Sequence, residues 1–305
     1  MPTASVNSIT LNYTISHPPP GTTGPGTWLV LINGLADDLQ TWSANIPAFT
    51  SAGYRVLAYD NRGIGLSSRP KGPYTAELLA SDLHALLLHL EIKKFHLLGV
   101  SMGGMIAQAF ALNHPNGGSV DGDGNGDGDG HGYGTEMLSL SLCCTYAAPS
   151  TFCERMFGLW AEMAERMGVR DVMRDVTLWA FTVPFFRERR EELEAVEEGL
   201  RGLEMGLGEY LAQLNVIRTF DSTGKLGELR DGGKGLGGVG EGRVMVLAGE
   251  EDILIPVVLS RELGEAVLGS VWRTTRGGHG CLVSLLPNTP HISRLTNHLA
   301  VGIPG

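Results

Sequence analysis

The feature that most constrains the fold of this chain is a serine enclosed by glycines between an apolar run and an alanine-rich segment. Residues 95–100 form the apolar run, Ser101 follows between Gly99 and Gly103, and residues 105–112 have helical character. In a chain with 43 glycines the bare pattern is weak evidence, so the flanking segments decide. A strand and a helix can approach closely where no Cβ intervenes, so the pattern predicts a tight strand-to-helix turn. The Ser101 hydroxyl would then project above the edge of a sheet.

Further apolar runs of strand length alternate with segments of helical periodicity along the chain. The predicted strands cover residues 9–15, 28–32, 54–59, 95–100, 137–143, 243–248 and 271–274, and the predicted helices cover 41–51, 75–90, 105–112 and 292–300. This alternation predicts an α/β fold with a mostly parallel central sheet flanked by helices on both faces. A length of 305 residues suits one core domain with a smaller insertion.

Residues 150–220 differ from the rest, because they lack strand-like runs and place apolar residues at helical spacing. We interpret this segment as a helical lid over the active site. The core domain would then comprise residues 1–149 and 221–305. Most large apolar side chains of the lid should pack against the core, and the candidates for contact with a substrate are Trp160, Trp179, Phe181 and Phe185.

Two glycine-rich tracts, residues 116–134 and 231–242, interrupt the core. The aspartates of the first tract are spaced as in a calcium loop, but the glutamate that closes an EF-hand loop is missing. Their composition instead predicts a disordered insertion and a glycine-rich loop. Both tracts fall between predicted elements, where insertions disturb the fold least.

Charge and composition exclude several classes of partner. The net charge of −10 argues against nucleic acid, whose phosphates require clustered Lys and Arg. The four cysteines lack paired metal spacing, and the adjacent Cys143 and Cys144 end an apolar run, so we expect buried thiols and no metal site. No apolar stretch approaches the ~20 residues that span a bilayer, and the first residues do not resemble a secretory signal. We therefore expect no membrane partner and a cytoplasmic location.

A serine hydroxyl becomes an effective nucleophile only when a base accepts its proton and a third group orients that base. Among the nine histidines, His84 and His89 fall in a predicted helix and His96 in a predicted strand, which indicates structural roles. His279 follows the last predicted strand and lies among glycines that allow a loop to bend toward Ser101. His279 is therefore the predicted base.

The orienting acid should follow a strand and lie between the serine and the histidine in the chain. Asp252 comes shortly after the predicted strand 243–248, and Glu250 and Glu251 are competitors because one residue of register decides which carboxylate points inward. An oxyanion would need two backbone N–H donors, which we assign to Met102 and Leu35. Here Gly34 would allow a close approach, and Met102 would lie at a helix N-terminus.

These segments together resemble the α/β-hydrolase superfamily. The matching motifs are Asn33-Gly34-Leu35, Asp60-Asn61-Arg62-Gly63-Ile64-Gly65-Leu66-Ser67, Gly99-Val100-Ser101-Met102-Gly103-Gly104, Gly249-Glu250-Glu251-Asp252 and Gly278-His279. Residues 69–75 and 101–108 resemble 3-oxoadipate enol-lactonases and related esterases. The resemblance implies a cofactor-free hydrolase in which Ser101 is the nucleophile, His279 the general base and Asp252 its partner. Asn33 stands where the family usually has histidine, which changes a side chain near the expected oxyanion hole and substrate.

Three hypotheses of function follow from this arrangement. The first is hydrolysis of a carboxylic ester or lactone of a small molecule through an acyl-enzyme. The second uses the same catalytic triad to cleave a carbon–carbon bond or to carry out a biosynthetic cyclisation or release step. The third is a non-catalytic ligand-binding protein that retains the hydrolase pocket.

Overall fold

The computed structural model describes residues 1–114, 135–229 and 242–282. The strands in these ranges are β1 (Thr3–Val6), β2 (Ile9–Ser16), β3 (Trp28–Ile32), β4 (Arg55–Tyr59), β5 (Lys94–Val100), β6 (Glu136–Cys143), β7 (Val244–Gly249) and β8 (Val271–Thr275). The helices are α1 (Ile46–Ser51), α2 (Ala76–His89), α3 (Met102–Asn113), α4 (Thr151–Met167), α5 (Val169–Ala180), α6 (Val183–Glu188), α7 (Arg190–Arg201), α8 (Leu207–Thr219) and α9 (Val257–Ala266). Short 3₁₀ helices occupy Leu39–Trp42, Thr223–Leu229 and His279–Cys281.

The strands form one sheet in the order β1-β2-β4-β3-β5-β6-β7-β8. β1 and β2 pair antiparallel, β2 pairs antiparallel with β4, and every pair from β4 to β8 is parallel. This arrangement confirms the predicted mostly parallel sheet. Parallel neighbours have their carboxyl ends on the same side of the sheet. The loops that follow β3, β5, β7 and β8 therefore meet at these strand ends.

Both faces of the sheet are buried, as the continuous apolar runs predict. Successive residues of a strand point to opposite faces. In β3, Val30 and Ile32 therefore join the larger hydrophobic core with α2 and α3, whereas Leu29 and Leu31 join the smaller core with Phe49 of α1. Both faces of the sheet are thus covered by helices. A site that is open to solvent must therefore lie at the ends of the strands.

Helices α4–α8 form a helical insertion between β6 and β7. Amphipathic periodicity in residues 150–220 predicts this region, and the structure confirms its helical character. Trp160 of α4 is 2% exposed and contacts the core, as expected for a large apolar side chain in an amphipathic helix. The helical insertion is therefore packed onto the sheet domain.

Some expectations differ from the structure or fall outside the residues it describes. The single helix predicted over residues 41–51 is instead the 3₁₀ helix Leu39–Trp42 followed by α1, since Pro47 in the first turn favours a new helix start. The short edge strand β1 was not predicted. Residues 116–134 and 231–241 of the two glycine-rich tracts, and the helix predicted at 292–300, lie outside the described residues. Across the described ranges, no helix is long and apolar enough to cross a membrane.

The contact between β5 and α3 leaves no room for side chains. A Cβ added to Gly99 would lie 2.1 Å from the carbonyl oxygen of Gly103, and a Cβ on Gly103 would lie 2.3 Å from the carbonyl oxygen of Ile32. Both atoms belong to the backbone, which cannot move away as a flexible side chain can. Glycine at these two positions is therefore a condition for the observed strand-to-helix turn.

Substitution of Gly99 by alanine should destabilise the fold. We expect Gly99→Ala to lower the free energy of unfolding by about 1–3 kcal/mol, because the added methyl overpacks a backbone contact. The matched control is Gly158→Ala in α4, where an added Cβ would meet nothing within 4 Å. That variant should raise the free energy of unfolding by roughly 0.5–1 kcal/mol through helix propensity. Urea unfolding of the three proteins measures both values, and equal stability of the two variants would contradict the packing argument.

Candidate active site

Ser101 lies in the turn between β5 and α3 with an unusual backbone conformation. Its φ of 56° and ψ of −121° belong to neither a strand nor a helix, and positive φ is uncommon for a residue with a Cβ. Such strain persists only where the surroundings fix it, and it clusters at functional sites. The 9% exposure of Ser101 leaves part of the residue accessible from a cavity.

The backbone of Ser101 is held by the neighbouring strand β6. The Ser101 amide donates to the Cys143 carbonyl at 2.9 Å, and Thr145 Oγ1 donates to the Ser101 carbonyl at 2.9 Å. Both polar groups of the strained residue are thereby satisfied within the protein. The first amides of a helix have no partner within the helix, so the Met102 amide begins α3 at its positive end.

Asp252 and His279 form a hydrogen-bonded pair in the loops that follow β7 and β8. His279 Nδ1 lies 2.9 Å from Asp252 Oδ2, and the other carboxylate oxygen accepts from the Ile255 amide at 2.9 Å. The side chain of Asp252 is fully buried, whereas that of His279 is 11% exposed. With Nδ1 directed at the carboxylate, Nε2 is the ring nitrogen left to face other groups.

The sequence leaves open which of three carboxylates after β7 is the partner of His279. The conformation of the loop after β7 decides between them. Glu250 and Glu251 are exposed, and Glu250 Oε1 accepts from Thr274 Oγ1 at 3.1 Å. Only Asp252 of the three is directed at His279.

The electrostatics of the pair increase the proton affinity of the His279 imidazole. Burial lowers the pKa of His279, but the negative charge of Asp252 and its hydrogen bond act in the opposite direction, and the net result raises that pKa to about 9. Asp37 adds to the increase. Asp252 thus stabilises positive charge on His279, as would be needed if the ring accepted a proton.

Ser101 and His279 line one cavity of about 140 Å³, which we call the inner cavity. Of the residues predicted to contact a substrate or an oxyanion, Gly34, Leu35, Trp160 and Phe181 also line it. A larger outer groove of about 650 Å³ adjoins it, since Asp37, Phe181, Val196 and Leu200 line both. Phe185 lines only this outer groove.

Two of the predicted substrate contacts line neither space. Asn33 is buried, donates from Nδ2 to the Tyr59 carbonyl at 3.1 Å and accepts from the Trp42 indole. Asn33 therefore braces the loop after β3. Trp179 donates from Nε1 to Asp175 Oδ2 at 3.1 Å, the same oxygen that accepts from Trp160 Nε1. Asp175 thus joins α4 and α5 by two indole hydrogen bonds.

The structure also places at the site two residues that sequence reasoning missed. Gln213 of α8 is fully buried, accepts from the Ala36 amide at 3.0 Å and donates to the Arg62 carbonyl at 3.0 Å. Asp37 lines both the inner cavity and the outer groove. A polar residue among the apolar positions of α8 was the available signal for Gln213, whereas the sequence carried none for Asp37.

Among the residues that the structure describes, one cluster brings three potential metal ligands together. Atoms of Cys144, Asp252 and His279 lie within 4.8 Å of one another. The Cys144 thiol lies 3.5 Å from the thiol of Cys281, and that hydrogen bond together with burial raises the pKa of Cys144 well above its usual value. In this arrangement Asp252 is hydrogen-bonded to His279 and Cys144 to Cys281.

Removal of the Asp252 charge should lower the pKa of His279. We expect Asp252→Asn to bring that pKa below the usual 6.5, because burial is then opposed only by the smaller effects of Cys144 and Asp37. NMR titration of the His279 ring measures the change. Glu250→Gln is the matched control, since Glu250 is exposed and bonded elsewhere, and it should leave the pKa nearly unchanged.

The same pair predicts a pH dependence of stability. The pKa of His279 is raised in the folded state, so its contribution is fully present below about 6.5 and is lost as the pH rises through about 9. Unfolding experiments on either side of this window should therefore show a pH-dependent difference between the wild type and Asp252→Asn. A constant difference across the window would contradict the assigned charge pairing.

Comparison with known proteins adds independent information to this geometry. Residues 27–117 match the family model described as alpha/beta hydrolase fold. A protein named "Putative carbamate hydrolase RutD" from Caulobacter segnis is 24% identical over 263 residues, which cover 84% of this chain and 85% of that protein. The 3-oxoadipate enol-lactonase 2 of Acinetobacter baylyi is 41% identical over 87 residues, which cover 28% of this chain and 32% of that enzyme.

A solved structure extends the similarity over the whole chain. The crystal structure of the enol-lactonase from Burkholderia xenovorans LB400 matches with a TM-score of 0.74 at 25% identity, covering 99% of both chains. A thermophilic esterase from Thermogutta terrifontis matches with a TM-score of 0.70 at 23% identity, covering 98% of this chain and 96% of that chain. The chain therefore has the α/β-hydrolase fold, with structural and partial sequence similarity to enol-lactonases.

Proposed function

We propose that this protein is a serine hydrolase that cleaves a carboxylic ester or lactone of a small molecule through an acyl-enzyme. The observation that carries the proposal is the 2.9 Å bond between His279 and the buried Asp252, at a cavity that Ser101 also lines. A base, its orienting acid and a strained serine at one cavity are the parts that nucleophilic catalysis by serine requires.

In the first half of the reaction, His279 Nε2 accepts the proton of Ser101 as the hydroxyl attacks the carbonyl carbon. Asp252 keeps the Nδ1 proton in place and stabilises the imidazolium that forms. Within the described residues, Ser101 and His279 make no direct hydrogen bond. Catalytic hydrogen bonds often tighten only when substrate is bound, so this bond would form in the complex.

The negative charge on the carbonyl oxygen needs preorganised donors. The Met102 amide lies directly after Ser101 at the start of α3. The Leu35 amide is the second candidate, because Leu35 lines the inner cavity and the next amide, that of Ala36, is already bonded to Gln213. Gln213 would thus be a positioning residue, which fixes the loop of Leu35 from the helical insertion.

The first half ends when His279 donates this proton to the alcohol oxygen, the bond from that oxygen to the acyl carbon breaks, and the acyl group stays on Ser101. In the second half, His279 accepts a proton from a water molecule. The water attacks the acyl carbon, the bond to Ser101 Oγ breaks and the carboxylic acid is released. For a lactone the leaving alcohol remains tethered to the acyl group, so one product forms. No step of this scheme uses a metal or an organic cofactor.

The inner cavity indicates the size and polarity of the acyl group. Its volume of about 140 Å³ suits a small group, and the helical insertion contributes Phe157, Trp160 and Met173 to its wall. An apolar wall favours a short acyl chain or a small ring rather than a charged acid. The described part of the insertion would therefore act as a lid that sets acyl specificity.

A carbamate is the second candidate substrate. The relative from Caulobacter segnis, which aligns over 84% of this chain, is named as a putative carbamate hydrolase. A carbamate carbonyl can be attacked by the same serine, and comparison of matched ester and carbamate substrates separates the two. Carbon–carbon cleavage, cyclisation and ligand binding without catalysis remain the alternatives to hydrolysis.

Ser101→Ala should abolish the turnover of chromogenic short-chain esters, with a loss of at least about 10³-fold in kcat, because the nucleophile is removed. A fluorophosphonate should label the wild type at Ser101 and leave the variant unlabelled. Equal ester hydrolysis by the two proteins would refute the serine mechanism. Labelling of the wild type without ester turnover would instead favour a different substrate for the same nucleophile.

Gln213→Leu should lower kcat on the same ester with little change in KM, since the freed loop no longer holds the Leu35 amide. A loss of roughly tenfold or more is expected from one impaired donor. The matched control is Asn215→Leu on the same helix, which removes the bond from Asn215 Nδ2 to the Tyr74 carbonyl and does not touch this loop. Equal effects of the two variants on kcat would show that Gln213 contributes only to packing.

A further inference from the structure

Asp37 and Ser101 lie on two sides of Gly34, which belongs to the loop after β3. A Cβ placed on Gly34 would lie 3.1 Å from Asp37 Oδ2 and 3.6 Å from the Cβ of Ser101. The carboxylate and the serine therefore flank the same small space. Asp37 lines the inner cavity with His279 and extends into the outer groove.

The carboxylate of Asp37 is not satisfied by the protein. Across residues 1–114, 135–229 and 242–282, its side chain accepts no hydrogen bond and joins no ion pair. The neighbouring acids differ, since Asp38 accepts from the Gln40 amide at 2.8 Å and Asp60 from the Leu39 amide at 2.8 Å. Asp37 is partly exposed and lines both spaces, so a ligand in either of them can pair with this carboxylate.

The charge of Asp37 has a consequence for catalysis at Ser101. Attack on a neutral ester develops negative charge on the carbonyl oxygen, and a nearby carboxylate opposes that charge. A positive group on the substrate would offset this repulsion. Burial and the charge of Asp38 raise the pKa of Asp37 to about 7, and the opposing effect of His279 offsets this increase only in part.

The outer groove has the lining expected for a cation. Phe181 and Phe185 stack with ring centroids 4.2 Å apart and both line it. Asp37 and Glu204 add carboxylates, and Arg69, which also lines the groove, donates to the Gly65 carbonyl at 3.1 Å. Aromatic faces with nearby carboxylates bind ammonium groups well.

We propose that Asp37 is a specificity-determining residue that selects esters carrying an ammonium group close to the scissile bond. This inference rests on the proposed hydrolase function and specifies its substrate class. The ammonium would pair with the Asp37 carboxylate and contact the aromatic rings of the outer groove while the acyl group occupies the inner cavity.

Matched substrate pairs test the proposal. Butyrylcholine and 3,3-dimethylbutyl butyrate have nearly the same shape and differ in charge on the alcohol side. Alanine methyl ester and methyl isobutyrate differ in the same way on the acyl side. The measured quantity is the ratio of kcat/KM for the cationic ester to that for its neutral partner, in the wild type, Asp37→Asn and Asp221→Asn. Asp221 is exposed and lines neither space, so its variant controls for net charge.

In the wild type we expect a ratio above one for at least one pair. If the choline pair shows it, the ammonium is recognised on the alcohol side of the ester, and if the alanine pair shows it, on the acyl side. Asp37→Asn should lower that ratio by about tenfold or more, and Asp221→Asn should leave the ratio within about twofold. A wild type that prefers the neutral partner in both pairs, or an equal loss on both members in Asp37→Asn, would overturn the proposal.

Binding distinguishes failure of this inference from failure of the proposed function. Calorimetric titration of Ser101→Ala with the same esters measures affinity without turnover. If the wild type hydrolyses no ester but Ser101→Ala binds the cationic member more tightly in an Asp37-dependent manner, the hydrolase proposal fails and the recognition role of Asp37 stands. Equal affinity for both members of each pair would refute that role.

Discussion

The contact of two backbones at Gly99 and Gly103 is the constraint on which the rest of the site depends. With no side chain between them, α3 begins directly above the end of β5, and the chain must reverse direction within one residue. Ser101 takes up this reversal with a φ of 56°. The same contact places the first amides of α3 next to the serine hydroxyl. A local packing requirement therefore fixes both the strained residue and the positive helix end beside it.

The parallel sheet then gathers groups that are far apart in the sequence. The loops after β3, β5, β7 and β8 contribute Asp37, Ser101, Asp252 and His279, and all four residues come from the same sheet edge. The helical insertion reaches this edge from outside. Gln213 joins α8 to the loop after β3, and Asp175 joins α4 to α5 through two indoles. The Gln213 bonds thus connect the helical insertion to the loops of the sheet, and the Asp175 bonds hold two helices of the insertion together.

Much of the fold could be predicted from the sequence because buried parallel strands are continuous apolar runs. The strands Trp28–Ile32, Arg55–Tyr59 and Val244–Gly249 follow this rule, whereas β1 is short, is an edge strand and has no such run. The pairing of Asp252 with His279 was predictable because the order of loops along a parallel sheet limits the candidates. Asp37 and Gln213 were not, since their positions depend on how Ala36 turns with positive φ and how α8 docks. Such tertiary details leave no periodic pattern in the sequence.

The two glycine-rich tracts each precede a strand of the central sheet. The first lies between His114 and Thr135, immediately before β6, and the second between Leu229 and Gly242, before β7. β6 and β7 are adjacent and parallel, and both begin at the edge opposite to the loop of Ser101. The starts of both strands therefore lie away from the loop of Ser101. This edge is also a natural attachment point for a fluorophore or an affinity handle that leaves the pocket entrance clear.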